Sequence, residues 1–76
     1  MLNLVRMPTR AELIKLSHSE LNVCIKIAFY QWQVARRLET DTAESERIYY
    51  IYDYEQLKRL DRFEKRLLRR ARQANR

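Results

Sequence analysis

Apolar residues recur along this chain at the spacing of a helix face, not in the alternation of a strand. Leu21, Cys24/Ile25, Ala28, Trp32, Ala35 and Leu38 stand three or four apart and form one stripe on a 3.6-residue helix. Val23, Ile27, Tyr30 and Val34 form a second stripe beside it, leaving a narrow polar face of Asn22, Lys26, Gln33, Arg36 and Arg37. The apolar arc therefore covers more than half the circumference. A second periodic run follows Thr40-Asp41-Thr42. It opens with Ile48-Tyr-Tyr-Ile-Tyr-Asp-Tyr54, apolar or aromatic on every side, and continues as a seam of Leu57, Leu60, Phe63/Glu64, Leu67/Leu68 and Ala71.

Three capping boxes divide the chain. Thr9-Arg-Ala-Glu12, Ser17-His-Ser-Glu20 and Asp41-Thr-Ala-Glu44 each offer a side-chain acceptor to the third helical amide and a glutamate that can reach back. They predict an extended arm over 1–8, a short helix over 9–16, a long helix over 19–39 and a second long helix over 43–73. One continuous helix over 9–39 is the alternative, less favoured because serine prefers caps to helix interiors. The arm carries Leu2, Leu4, Val5 and Met7, which suits packing on the helices. The short break at 40–42 joins antiparallel neighbours, so the expected fold is all-α, a helical hairpin with a short N-terminal helix. The last helix, approaching ~45 Å at ~1.5 Å per residue, outruns its partner. The short helix is expected to pack against its far end, and the leucine seam to serve the hairpin.

Composition sharpens this picture. The chain has 76 residues, no glycine and a single proline, Pro8, which disfavours sheet turns and glycine-rich phosphate loops. A single domain this small buries only ~60% of its unfolded surface and usually needs help from disulfides, metal or association. Cys24 is the only cysteine and His18 the only histidine, so an internal disulfide is excluded and neither a metal site nor a cofactor is expected. Association remains. Two helices with such wide apolar arcs cannot hide them in one hairpin, which points to a homodimer in a four-helix arrangement. Val23, Ile27, Tyr30 and Val34, with Ile48, Tyr49, Tyr50, Ile51, Tyr52 and Tyr54, are the candidate dimer or protein-binding residues. Tyrosine combines contact area with a polar tip, as binding hot spots require. A dimer core, a site for another protein and plain solvent exposure remain open for these tyrosines.

The charge is uneven. Lys58 to Arg76 holds nine Lys and Arg against Asp61 and Glu64, a local net of +7 in a chain of net +6. Arg59, Arg62, Lys65, Arg66, Arg69, Arg70 and Arg72 are thus candidate phosphate contacts, although no finger, RNP or helix-turn-helix pattern accompanies them. A solvated charged face near a helix C-terminus accounts for them equally well. No apolar stretch is long enough to span a bilayer, and the lone cysteine without a secretory leader suits a cytoplasmic setting.

Catalytic chemistry finds little purchase. Ser17-His18-Ser19 is the only place where a nucleophile adjoins a base, and capping serines beside an exposed histidine explain it. Cys24 reads as a small buried apolar residue. Asp53 among the tyrosines and Glu64 in the seam are the acids to watch, as a Tyr–Asp hydrogen bond and a register-fixing arginine pair respectively.

In size, in the Thr40-Asp41-Thr42 break and in the aromatic patch over 48–54, the chain resembles the small helical-hairpin proteins encoded by phages and mobile elements. Among them are phage proteins that inhibit quorum-sensing regulators or pilus ATPases. The likeness spans most of the chain and carries over no diagnostic residue. It implies a non-enzymatic regulator or inhibitor that binds a protein, not a small-molecule substrate. The alternative is a nucleic-acid-binding accessory protein using the Arg-rich last helix.

Overall fold

A computed structural model describes residues 5–74. Leu2, Leu4 and Arg76, named above, lie outside the described residues. The chain is all-α over this range, with α1 at Arg10–Lys15, α2 at His18–Arg37 and α3 at Ala43–Ala74.

Local hydrogen bonds account for each break. Thr9 caps α1: its hydroxyl accepts the Glu12 amide at 3.2 Å, and Glu12 takes the Thr9 amide at 3.3 Å. Leu16 leaves the helix in an extended conformation. Ser17 then caps α2 in the same way, accepting the Glu20 amide at 3.1 Å while Glu20 accepts the Ser17 amide at 2.9 Å. Thus α1 and α2 are separate helices, and α2 begins at His18 rather than Ser19. The third box differs from expectation. Asp41 accepts the amide of Ala43 at 3.0 Å, an Asx turn two residues on. The Thr42 carbonyl takes the first helical amide, that of Glu46, at 2.9 Å.

The end of α2 falls two residues before Glu39. Glu39 itself has φ 55°, the left-handed region. Its amide donates to the Arg36 carbonyl at 3.2 Å and that of Thr40 to the Ala35 carbonyl at 3.1 Å, the paired bonds of a Schellman motif. The Thr40 hydroxyl also donates to Ala35, at 3.0 Å. In a chain without glycine, a side-chain-bearing residue must adopt this conformation.

The core lies between α2 and α3. Leu21 and Ala28 of α2 meet Ile48 and Tyr52 of α3, with Val5, Leu13, Leu16, Cys24, Ile25 and Tyr49 packed around them. Ile48, Tyr52, Glu55 and Arg59 are spaced four, three and four apart and share one side of α3. Leu57 and Leu60 fall on other sides. At ~1.5 Å per residue, α2 reaches ~30 Å and α3 ~48 Å, so α3 outruns its neighbour. The expectation that the leucine seam closes the hairpin is therefore corrected: Leu57, Leu60, Phe63, Leu67 and Leu68 are all exposed, Leu60 to 57%. Nor does α1 reach the far end of α3. Its Leu13 meets α3 at Arg59, and α1 contributes no buried residue.

The arm is bonded to the helix pair. The Gln31 side-chain amide accepts from the Val5 amide at 2.6 Å and donates to the Val5 carbonyl at 3.3 Å. The Tyr52 hydroxyl donates to the Arg6 carbonyl at 3.1 Å. Val5 and Pro8 are half-buried and Met7 is exposed.

Two outcomes follow. Glu39→Gly relieves the left-handed conformation and should raise unfolding free energy by about 0.5–1 kcal/mol, measured by urea denaturation. Hydrogen bonds from the Ser17 amide and hydroxyl hold the Glu20 carboxyl below its ordinary value of 4.5. Its capping contribution is therefore complete above that value and lost as pH falls through the lower folded-state value. Glutamine keeps the reciprocal bond without titrating, so Glu20→Gln should show a shallower loss of helicity, by circular dichroism, below pH 4.5 than the native chain.

Candidate functional site

The residues singled out from the sequence divide into three sets once placed on the fold. Ile48 and Tyr52, each 6% exposed, belong to the core and cannot form a docking surface, because they point at Leu21 and Ala28. Ile27, Val34, Tyr49 and Ile51 are half-buried. Val23, Tyr30, Tyr50 and Tyr54 are exposed to between 50% and 62%. Burial raises the Tyr52 phenol above its ordinary range, with smaller contributions from Cys24 and the charge of Glu12.

An aromatic cluster bridges α2 and α3. Trp32 stacks on Tyr49 at 5.6 Å between centroids and tilts against Tyr50 at 5.9 Å. Phe29 meets Trp32 edge-on at 6.2 Å and Tyr49 at 5.5 Å. Arg36 lies 6.0 Å from the Trp32 ring centre. Phe29 and Tyr50 remain exposed despite these contacts. Such pairs contribute ~0.5–1.5 kcal/mol beyond their burial, so the rings are held in place while presenting apolar area outward. Phe29 was missing from both sequence stripes. Its spacing of three from Trp32 was the available signal.

Below this cluster sits the best-buried charge. Glu55 is 5% exposed. Arg59 donates from Nε to Glu55 at 3.1 Å and from a terminal nitrogen to the Leu13 carbonyl of α1 at 3.1 Å. Its other terminal nitrogen lies 3.3 Å from His18 Nδ1 at the start of α2, which accepts in the tautomer protonated on Nε2. Lys58 adds a looser contact to Glu55 at 3.6 Å. One guanidinium thus ties all three helices. Arg59 is thereby corrected as a phosphate contact: its charge and donors are engaged within the chain. Arg62, Lys65, Arg66, Arg69, Arg70 and Arg72 are exposed, with Lys65 bridged to Asp61 at 3.2 Å.

The other candidate groups have structural partners or stand apart. Ser17 Oγ is occupied by the Glu20 amide and lies 3.2 Å from the Ser19 hydroxyl, while His18 faces Arg59. Cys24 is half-buried, and burial, aided by the charge of Glu20, pushes its thiol up. Among the described residues no Tyr–Asp53 bond and no Glu64–Arg pair form. Glu55, not Glu64, pairs with an arginine and takes the register-fixing role expected of Glu64.

Two open grooves flank α3. One, of about 1040 Å³, lies between α1, the start of α2 and α3, from Ile14 and His18 to Phe63 and Arg66. The other, of about 800 Å³, runs along α3 past Glu46, Tyr50, Tyr54 and Leu57. Among the described residues, no helix is long and apolar enough to cross a membrane. Comparison with family models, curated proteins and solved structures gave no match.

Removing Arg59 strands a buried carboxylate. Arg59→Ala should cost about 3 kcal/mol in urea unfolding, whereas the uncharged pair Glu55→Met/Arg59→Leu should recover most of that loss. Equal losses from the single and double changes would contradict the clamp.

Proposed function

We propose that this chain is a non-enzymatic, cytoplasmic protein-binding regulator or inhibitor that works as a homodimer of antiparallel helical hairpins. The observation carrying the reading is the exposure of large apolar and aromatic side chains along both long helices: Val23, Phe29 and Tyr30 on α2, then Tyr50, Tyr54 and Leu57 on α3. Large apolar side chains left wet on a helix face mark interaction sites. The aromatic cluster favours a protein partner, since rigid rings that keep exposed faces lose little entropy on docking. The likeness in format to phage-encoded hairpin inhibitors points the same way.

A second reading rests on the six exposed cations from Arg62 to Arg72, which suit phosphates. Affinity capture from lysate of the source organism separates the two. With Phe29→Ala/Tyr30→Ala or Tyr50→Ala/Tyr54→Ala, protein capture should fall at least tenfold, helicity and oligomeric state being checked in each. Capture untouched by both double changes overturns the protein-binding reading. Retrieval of nuclease-sensitive material, lost with Arg62→Ala/Arg66→Ala/Arg69→Ala and steeply salt-dependent, establishes the second.

A further inference from the structure

Outside the face that packs on Leu21 and Ala28, α3 carries a second apolar stripe. Tyr50, Leu57, Glu64 and Ala71 recur every seven residues, and Asp53, Leu60, Leu67 and Ala74 interleave with them. This alternating spacing of three and four is that of a coiled-coil seam. At ~100° per residue it lies roughly opposite Ile48, Tyr52 and Arg59, the face used by the core. Tyr50, Leu57, Leu60 and Leu67 are each about half exposed or more, and Tyr54 and Leu68 border them at 62% and 53%. Among the described residues Trp32 touches the stripe at Tyr50 and Leu13 lines the groove beside Leu57, yet Tyr50, Leu57, Leu60 and Leu67 each keep about half of their surface exposed or more.

We propose that a second copy of the chain covers it, with the two α3 helices packed antiparallel about a two-fold axis between Leu57 and Leu60. The inference rests on reading the chain as a homodimer and specifies the face and direction.

Two observations select this occupant. The first is register. When Leu57 faces the partner's Leu60, Tyr50 meets the partner's Leu67, and the outer layers set Ala71 against the partner's Glu46 and Ala74 against the partner's Ala43. The stripe is thus self-complementary, as a two-fold interface requires. The second is charge. Residues 43–57 carry Glu44, Glu46, Asp53 and Glu55 against Arg47, a net of −3, whereas residues 58–74 carry eight Lys and Arg against Asp61 and Glu64, a net of +6. Antiparallel packing sets each basic half beside the partner's acidic half. Parallel packing would set two +6 segments together. Six large side chains at half exposure offer on the order of 600 Å² per copy, about 1,200 Å² per dimer, the lower edge of a specific interface.

One layer works against association. The same register opposes Asp53 to the partner's Glu64, twice in each dimer. Like charges there limit affinity and mark the register, because removing one should tighten the dimer rather than loosen it.

Disulfide trapping tests this in a Cys24→Ser background, which removes the only cysteine. Tyr50→Cys and Leu67→Cys chains are oxidised separately and as a mixture, with sedimentation run on each. Crosslinking in the mixture alone supports the proposal, because identical positions then lie ~25 Å apart along the axis. Crosslinking of Tyr50→Cys chains to themselves overturns the antiparallel direction. Dimers in sedimentation with no crosslink in the mixture overturn the face, and the homodimer reading survives. A folded monomer throughout overturns both. As a second readout, Glu64→Leu should lower the dimer dissociation constant at least tenfold, and a raised constant would contradict the register.

Discussion

The fold turns on one guanidinium. Arg59 reaches the buried Glu55 on its own helix, the last carbonyls of α1 through Leu13, and the start of α2 through His18. The apolar core beside it is thin. Among the described residues only Leu21, Ala28, Ile48 and Tyr52 are buried hydrophobics. A buried ion pair adds little net stability, but it is intolerant of rearrangement, because rotating either helix would leave a charge unpaired. The clamp therefore fixes which side of α3 faces α2. That side carries Ile48, Tyr52 and Glu55, so Tyr54, Leu57 and Leu60 face outward, with Tyr50 at the edge beside Trp32.

This phase explains why the chain has more apolar surface than it can bury. The inner face of α3 turns basic beyond Arg59, at Arg62 and Arg66, while the leucines continue on the outer side. Intramolecular packing ends where α2 begins, and the remaining turns of α3 extend with their leucines wet. The arm offsets some of the deficit by laying Val5 on the core, held by Gln31 and Tyr52. A chain of this size has little stability in reserve, so covering the outer stripe would contribute to folding as well as to recognition.

Several of these features were legible in the sequence. The boxes at Thr9 and Ser17 mark two helix starts, because capping is a local exchange of hydrogen bonds, and the Leu21–Ala28 stripe faces the core as its spacing implies. The phase of α3 was not legible. Ile48 to Tyr54 is apolar on every side and gives no periodicity, so nothing in the pattern separates Ile48 and Tyr52 from the surface tyrosines. Glu55 gives no distinct signal because a charged residue beside the seam reads as solvated, although Arg59 stands one turn on. Gln31 carries no distinguishing signal in the sequence, whereas its amide serves as a strand-like partner for Val5. The Asp41 box formed an Asx turn instead, since the same side chain can reach either amide.

The proposed dimer shields the exposed outer stripe of α3 with another copy of the chain. The most direct measurement is the thermal midpoint as a function of concentration, followed by circular dichroism over a roughly hundredfold range. Folding coupled to association requires the midpoint to climb steadily with concentration. A single cooperative transition at an unchanging temperature throughout that range would contradict the account.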